Sequence, residues 1–431
     1  MRRAISDTLL EWKSRPGRHP LVLCGARQVG KTYALKEFGT ANYAQVAYID
    51  LMSNEAKRVF GGGYDAARTL ENISIYCGVR VEKGSTLVII DEIQEVPEAL
   101  SLMKAFAEQT PGQDIVAAGS YLGVSLHAGK SFPVGKVELV DMYPMSFREF
   151  LWAMGEEQLA DLLDTRDFER CSLFSDRLER LLRQYYYVGG MPEAVASFVG
   201  GNSDYTAARR VQNGLLLAYD HDFSKHISDE RELERTRLAF ASIPAHLGRE
   251  NHKFMFGHIA RGARARDYET SIQWIVDSGL AHRVYRADKP GEPLKFHRDL
   301  SAFKLYLHDV GLLGAAMEID ARDVLLSNKA LEEYKGAMTE QYVCQELVAA
   351  GISPYYWTAS SGGTAELDFL FSKDGAIIPL EVKAEENLQA KSLRLFCSTY
   401  GLHGYRTSMS GWREQDWMTN VPLWAVGAFV A

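Results

Sequence analysis

An α/β fold built on a parallel sheet, with a smaller α/β domain at its carboxyl end, is predicted by three stretches of the 431-residue chain. The first, HPLVLCGARQVGKT, sets a short apolar run directly before a glycine-rich loop. In the second, LVIIDE, apolar residues end in two acids, the pattern of a strand buried on both faces of a parallel sheet. The third, AELDFLFSKDGAIIPLEVKA over residues 365–384, alternates on either side of an Asp-Gly pair and reads as a β-hairpin.

Bulk composition bounds the rest. At roughly 150 residues per domain the length predicts about three domains. A hydrophobic fraction of 46% and a charged fraction of 24% are ordinary for a globular chain. Cys24, Cys77, Cys171, Cys344 and Cys397 are odd in number, scattered, and form no C-x-x-C pair. They indicate neither a disulfide framework nor a zinc site, and a reducing cytoplasm fits them. MRRAISDTLLEWKSRPG lacks the continuous apolar core of a signal peptide. PLWAVGAFVA is too short to span a bilayer and reads as a buried strand, so no membrane partner is expected. The net charge of −8 argues against a generally basic coat, and any DNA contact must be local.

The first element is a strand, Leu21–Cys24, feeding Gly25-Ala26-Arg27-Gln28-Val29-Gly30-Lys31-Thr32. This is G-x-x-x-x-G-K-[ST] between a strand and a predicted helix, Thr32–Phe38, which Gly39 would end. All eight residues are candidate ATP ligands. The glycines let backbone N–H groups close around phosphates, and the helix N-terminus adds its positive pole. Lys31 should reach the β- and γ-phosphates, and the Thr32 hydroxyl should ligand Mg2+. Leu87–Ile90 forms the next strand and delivers Asp91 and Glu92 at its carboxyl end, where ligands bind such sheets. Asp91 would hold the magnesium through water, and Glu92 would polarise the attacking water. Ile115–Ala118 is a further strand, which puts Ser120 at the same rim, either sensing the γ-phosphate or capping a turn.

RHPLVLCGARQVGKT, LVIIDEIQEVP, AAGSYLG, DMYPMSFREF and YVGGMPEAV follow one another here. In that order they resemble a family of prokaryotic AAA+-type ATPases with a restriction-endonuclease-like domain at the C-terminus. The resemblance implies a P-loop AAA+-like ATPase core (1–150), a helical segment (151–228), a winged-helix-like segment (229–327) and a nuclease-like α/β domain (328–431). Many relatives carry Gly-Arg just before the strand that leads into PMSFREF. Here the pair is Gly135-Lys136, and lysine keeps the charge but loses the planar fork.

In the helical segment, Leu173, Leu178, Leu181 and Leu182 fit one apolar face, and Tyr185, Tyr186 and Tyr187 read as packing residues beside a Gly-Gly helix end. Further on, Lys253, Arg261, Arg264 and Arg266 precede DYETSIQWIVDSGLAHRVYRAD, which reads as a helix, a stop at Gly279 and a strand. Helix, basic turn, helix, strand is the order of a winged helix, whose second helix enters a major groove in DNA-binding members. Glu269 and Asp277 on that helix argue against DNA. Winged helices also serve in protein packing, and both readings stand.

The last domain opens with a helix on which Val343, Cys344 and Leu347 share a face, Glu340 falls almost on the same stripe, and Glu346 points away and reads as solvated. A carboxylate on the packed side is costly unless paired or metal-bound. Glu333 shares the stripe but lies near the helix start, where an acid is favoured anyway. In the hairpin, Lys373 faces Ala376 across the turn, and counting outward Asp368 faces Glu381 at a Cβ separation of about 5 Å, an unfavourable pairing of like charges. A divalent cation between them is one remedy. Pro379 marks an edge or a bulge, and a bulge would shift this register. The resemblance implies a PD-(D/E)XK centre: Asp368 and Glu381 as magnesium ligands, Lys383 positioning or deprotonating the bound water, and Glu340 assisting from the helix. A solvated amphipathic hairpin is the plain alternative, and a nuclease fold can outlast its chemistry.

The expected function is Mg-dependent ATP binding and hydrolysis coupled to DNA binding, with DNA cleavage by the last domain open. The alternative is an ATP-controlled switch whose inert nuclease-like domain binds DNA or protein. A homo-oligomer is compatible with either.

Overall fold

The computed structural model describes residues 1–61, 63–120, 135–249, 252–325, 332–359, 364–385 and 389–431, without the side chains of residues 332 and 333. They divide into two compact units. Arg2–Tyr143 with Asp277–Gly279 form one; Pro144–Val276 and Leu280–Ala431, with Met1, form the other.

The first unit carries helix α1 (Ile5–Ser14), β1 (Leu21–Cys24), α2 (Lys31–Asn42), β2 (Gln45–Asp50), α3 (Asn54–Val59), α4 (Ala66–Cys77), β3 (Thr86–Asp91), α5 (Pro97–Gln109), β4 (Asp114–Gly119) and β5 (Glu138–Asp141). Its five strands are all parallel, in the order β2-β3-β4-β1-β5. Every residue of β3 and β4 is buried, as their unbroken apolar runs require of strands covered on both faces. The carboxyl ends of β1, β3 and β4 therefore lie along one rim, which carries the loop after β1. One expectation is corrected. Gly39 does not end α2, which runs on to Asn42. A Cβ at Gly39 would stand 2.9 Å from Val46 Cγ2, so the missing side chain lets α2 lie against β2.

The second unit begins with helices α6 (Phe147–Ala153), α7 (Glu157–Asp164), α8 (Phe168–Cys171), α9 (Ser175–Val188), α10 (Pro192–Gly200), α11 (Tyr205–His226) and α12 (Glu230–Leu247). A capping box at Ser146 and Glu149 starts α6. Leu178, Leu181, Leu182 and the three tyrosines of α9 are buried as expected. Leu173 is not on that face: it precedes α9 in a short 3-10 turn and is 79% exposed. Helix α13 (Ala265–Asp277) follows, and Gly279, at φ +76, comes before β6 (Ala281–Ala287).

Strand β7 (Arg298–Leu307) and helices α14 (Val310–Ala316), α15 (Ala321–Leu325) and α16 (Glu332–Ala349) lead to β8 (Tyr355–Thr358), β9 (Glu366–Lys373), β10 (Ala376–Val382), α17 (Lys391–Tyr400), β11 (Gly404–Ser408), β12 (Arg413–Glu414), β13 (Met418–Pro422) and α18 (Val426–Val430). Eight strands form one mixed sheet, ordered β12-β13-β11-β10-β9-β8-β6-β7. The hairpin β6–β7 thus extends the sheet of the last domain through the parallel pairing of β6 with β8. Both β6 and β7 therefore belong to the same compact unit as the last strands. The C-terminal apolar stretch is buried but closes as a 3-10 turn and α18 rather than a strand, because periodicity cannot tell such short apolar runs apart.

Candidate nucleotide site and a distal charged cluster

The loop from Gly25 to Thr32 follows β1 and opens α2, whose N-cap, Gly30, is left-handed at φ 96. Gln28 also has positive φ, at 67, which is uncommon for a residue with a side chain. The loop is closed over Lys31, whose Nζ donates to the carbonyls of Gly25 at 2.9 Å and Ala26 at 2.7 Å and to Ser120 Oγ at 2.9 Å. Burial pushes the Lys31 ammonium down to about 8, against the pull of Glu92 and Asp91. Lys31 thus has three acceptors from the protein itself, two of them buried.

Asp91, the last residue of β3, meets Thr32 in the first turn of α2. Thr32 Oγ1 donates to Asp91 Oδ2 at 2.8 Å, and Tyr48 Oη donates to the same oxygen at 2.9 Å. The Glu92 N–H takes the other carboxylate oxygen at 3.0 Å. A hydroxyl and a carboxylate side by side are hard oxygen donors of the kind Mg2+ takes, so these residues fit the ion. Glu92 sits just beyond β3 in a left-handed conformation, φ 52, and Gln94 donates to its carboxylate. Lys31, Thr32, Asp91, Glu92 and Ser120 are thus brought to one rim. Lys136 lies two residues before β5. Of the AAGSYLG motif, Tyr121–Gly123 lie outside the described residues.

Sequence reasoning missed two parts of this rim. Arg3, 6% exposed, donates to the carbonyls of Val29 and Tyr143, each at 2.7 Å, and so ties the loop to the N-terminal segment. Tyr48 was hidden in an unremarkable strand. Only its alternation with buried Ala47 and Ile49 would have placed it on the other face.

In the second unit, the hairpin register holds from Lys373–Ala376 through Phe369–Leu380, unbroken at Pro379. Pro379 immediately precedes the parallel ladder from Leu380 to Tyr405. Asp374 and Gly375 both have positive φ, 51 and 77, as a type I′ turn demands. Beyond Leu380 the Asp368 carboxylate accepts the Val382 N–H at 2.7 Å. Glu381 accepts from Lys383 Nζ at 2.7 Å with one oxygen and from the Leu393 N–H at 3.1 Å with the other.

Glu340 lies on the packed face of α16, and its charge is met there. Tyr306 Oη donates to it at 2.9 Å, His252 Nδ1 lies 2.8 Å away and Lys304 Nζ 3.6 Å away. Burial alone would raise Glu340, but His252 and Lys304 hold it well below the usual carboxylate range. Asp368 goes the other way: burial and the neighbouring Glu340 raise it to about 7. Lys304, 1% exposed, also pairs with Glu366 at 2.7 Å, and these acids hold it above its ordinary value in spite of burial. Glu381 likewise raises Lys383 against burial. Among the described residues no group of three or more His, Cys, Asp and Glu side chains is arranged to hold a metal ion.

The positive partners of Glu340 were not foreseen. Lys304 and Tyr306 alternate with apolar residues along FKLYLH of β7, and that polar stripe in an otherwise apolar strand was the available signal. Glu346 is a correction: it is 3% exposed rather than solvated, and Oε1 accepts the Phe147 N–H at 2.8 Å. Burial raises it to about 7. Glu333 lies outside the described side chains.

Residues 17–151 match the family model of an AAA domain. Residues 179–323 match a domain of unknown function (DUF8612), and residues 335–424 another (DUF4143). No curated protein matches the chain. Among solved structures, the chain is similar to the Orc1 protein of Aeropyrum pernix in complex with DNA at 12% identity and a TM-score of 0.29, over 73% of this chain and 92% of that one. Drosophila ORC bound to DNA gives 12%, 0.29, 73% and 94%. Cdc6p from Pyrobaculum aerophilum gives 10%, 0.25, 75% and 92%. Scores of this size do not show a shared overall fold. Among the described residues no helix is long and apolar enough to cross a membrane. The family match and the loop geometry agree: residues 17–151 match an AAA domain, and within them the loop after β1 has the geometry of a P-loop.

Proposed function

We propose that the first unit binds and hydrolyses ATP with Mg2+ and that this cycle is coupled to DNA binding by the second unit. The observation that carries it is the convergence of Lys31, Ser120, Thr32 and Asp91 at the loop after β1. Lys31 would hold the β- and γ-phosphates, the loop N–H groups from Gly25 to Gly30 would cradle them, and Glu92 would orient the attacking water. Magnesium, held by Thr32 and through water by Asp91, would neutralise charge on those phosphates.

Arg261, Arg264 and Arg266 support the DNA half of this reading: all three are exposed, before and at the start of α13. Of the two acids that spoke against it, Glu269 is neutralised within the chain by Arg283 at 2.8 Å. DNA affinity resting on such contacts should fall steeply with salt.

The second reading, a nucleotide-controlled switch whose nuclease-like centre is inert, is favoured by the lysine–carboxylate pairing around Lys304. One experiment separates the two. Wild type, Lys31→Ala and Asp368→Ala are assayed in parallel for ATP turnover, DNA binding and DNA cleavage. Lys31→Ala should weaken ATP binding on the order of tenfold to a hundredfold, the worth of a charged hydrogen bond, and abolish turnover. Turnover that survives it overturns the ATPase proposal. Cleavage by the wild type that Asp368→Ala removes supports a working nuclease centre, and DNA binding without cleavage supports the switch.

A further inference from the structure

Four carboxylates crowd the distal cluster: Glu340, Glu366, Asp368 and Glu381. Each already has a donor from the protein, and Lys304 reaches two of them. We infer that the Lys304 ammonium occupies the role of a resident cation in this cluster, so that the wild-type centre takes no divalent metal. The inference concerns the second unit alone. It deepens the switch reading and is independent of nucleotide binding at the P-loop.

Charge and access carry it. Lys304 and Lys383 sit among the acids, Lys253 stands 3.8 Å from Glu366, and His252 shares Glu340. Three ammonium groups and one imidazole face four carboxylates, leaving little negative charge for a metal to neutralise. Glu340 Oε2, both Glu366 oxygens, Asp368 Oδ2 and both Glu381 oxygens already have donors, and a divalent ion that takes any held by an ammonium does so at a desolvation cost to the displaced group. Lys304 itself has nowhere to withdraw. It is 1% exposed, and its Nζ packs 5.2 Å from the Tyr356 ring centroid, so leaving the acids would mean burying an unpaired charge.

Placement explains why the cation is built in. Lys304 comes from β7, in the segment matching one family model, whereas the acids come from α16, β9 and β10 in the segment matching another. The sheet brings them together only because β6–β7 joins it beside β8. The lysine thus welds the hairpin to the helix and strands bearing the carboxylates.

The test is Mn2+ binding to nucleotide-free, full-length protein, followed by electron paramagnetic resonance and by thermal melting, in an Asp91→Asn background that disables the P-loop ion site. The otherwise wild-type chain should bind no Mn2+ that Asp368→Asn removes, and Mn2+ should not move its Tm. Lys304→Met, which removes the ammonium and keeps the stem, should gain about one Mn2+ per chain, and Lys304→Arg should gain none. Wild-type Mn2+ binding that falls tenfold or more in Asp368→Asn would overturn the inference, as would a folded Lys304→Met chain that still binds none. If Lys304→Met does not fold, the comparison of wild type with Asp368→Asn decides alone. ATP turnover has no part in these readouts, so this inference and the ATPase proposal can fail separately.

Discussion

Gly25 has no room for a side chain. A Cβ there would stand 2.2 Å from the Met142 carbonyl oxygen, and the residue's φ of 149 is one that L side chains rarely adopt. Gly25→Ala should therefore push β5 away from the loop, costing about 2–4 kcal/mol as a steric insertion with backbone strain. Nucleotide affinity should fall with it. Gly200→Ala, where a Cβ meets nothing within 4 Å, is the control expected to leave both unchanged. Equal melting temperatures and equal binding of a fluorescent nucleotide by the two variants would refute this account of the loop. The expectations for Gly25, Lys31 and Asp91 came from patterns that span only a few residues around each. Arg3 was not legible in this way: its partners Val29 and Tyr143 are distant in sequence, and a basic N-terminus alone says nothing of where it folds back. Glu346 was misjudged for a related reason, since helical periodicity describes one packed stripe and α16 is packed on more than one side.

At the scale of elements, the hairpin β9–β10 was legible because an Asp-Gly turn fixes register locally, and five of its pairs follow the count from that turn. Strand β7 was not, because its meaning lies in what its polar stripe meets. Lys304 and Tyr306 meet Glu340, and two residues on, His308 is 1% exposed between helix and sheet. Its Nδ1 lies 3.0 Å from the Leu280 carbonyl, which can only accept, so Nδ1 carries the proton and Nε2 accepts from Tyr219 Oη at 3.3 Å. Burial pushes this imidazole down to about 4. The folded state thus binds fewer protons here than the unfolded chain, whose histidine titrates near 6.5. Stability from this contact is whole above pH 6.5 and is lost as pH falls toward 4, by up to about 3 kcal/mol. Denaturant titrations at pH 7.5 and pH 4.5 should show His308→Gln losing less stability over that interval than the wild type. A wild-type loss no greater than that of His308→Gln would show that the buried imidazole is not what acid acts upon.

For the whole molecule, the described residues divide into two compact units at Tyr143–Pro144, with Asp277–Gly279 belonging to the first. Local patterns mark where a helix or strand begins, but they do not say which sheet a strand will join. β6 and β7 join the sheet that β8–β13 build, a long-range pairing that no local pattern announces. Each unit has its own apolar core, one around Val88, Ile90 and Ala117 and another around Trp357, Leu367 and Phe396. Units with separate cores can unfold in separate steps, whereas a single cooperative transition belongs to smaller, undivided chains. Calorimetry should resolve two transitions. The proposed nucleotide site lies in the P-loop unit, so ATP with Mg2+ at a hundredfold excess over its dissociation constant should stabilise that transition by about 2.7 kcal/mol. For a unit of this size the shift is roughly 5–10 °C. The other transition should stay in place, and Lys31→Ala should remove the shift without altering the number of transitions. One merged transition, or equal movement of both, would mean that the two cores melt as a single cooperative body and that nucleotide binding is felt throughout it.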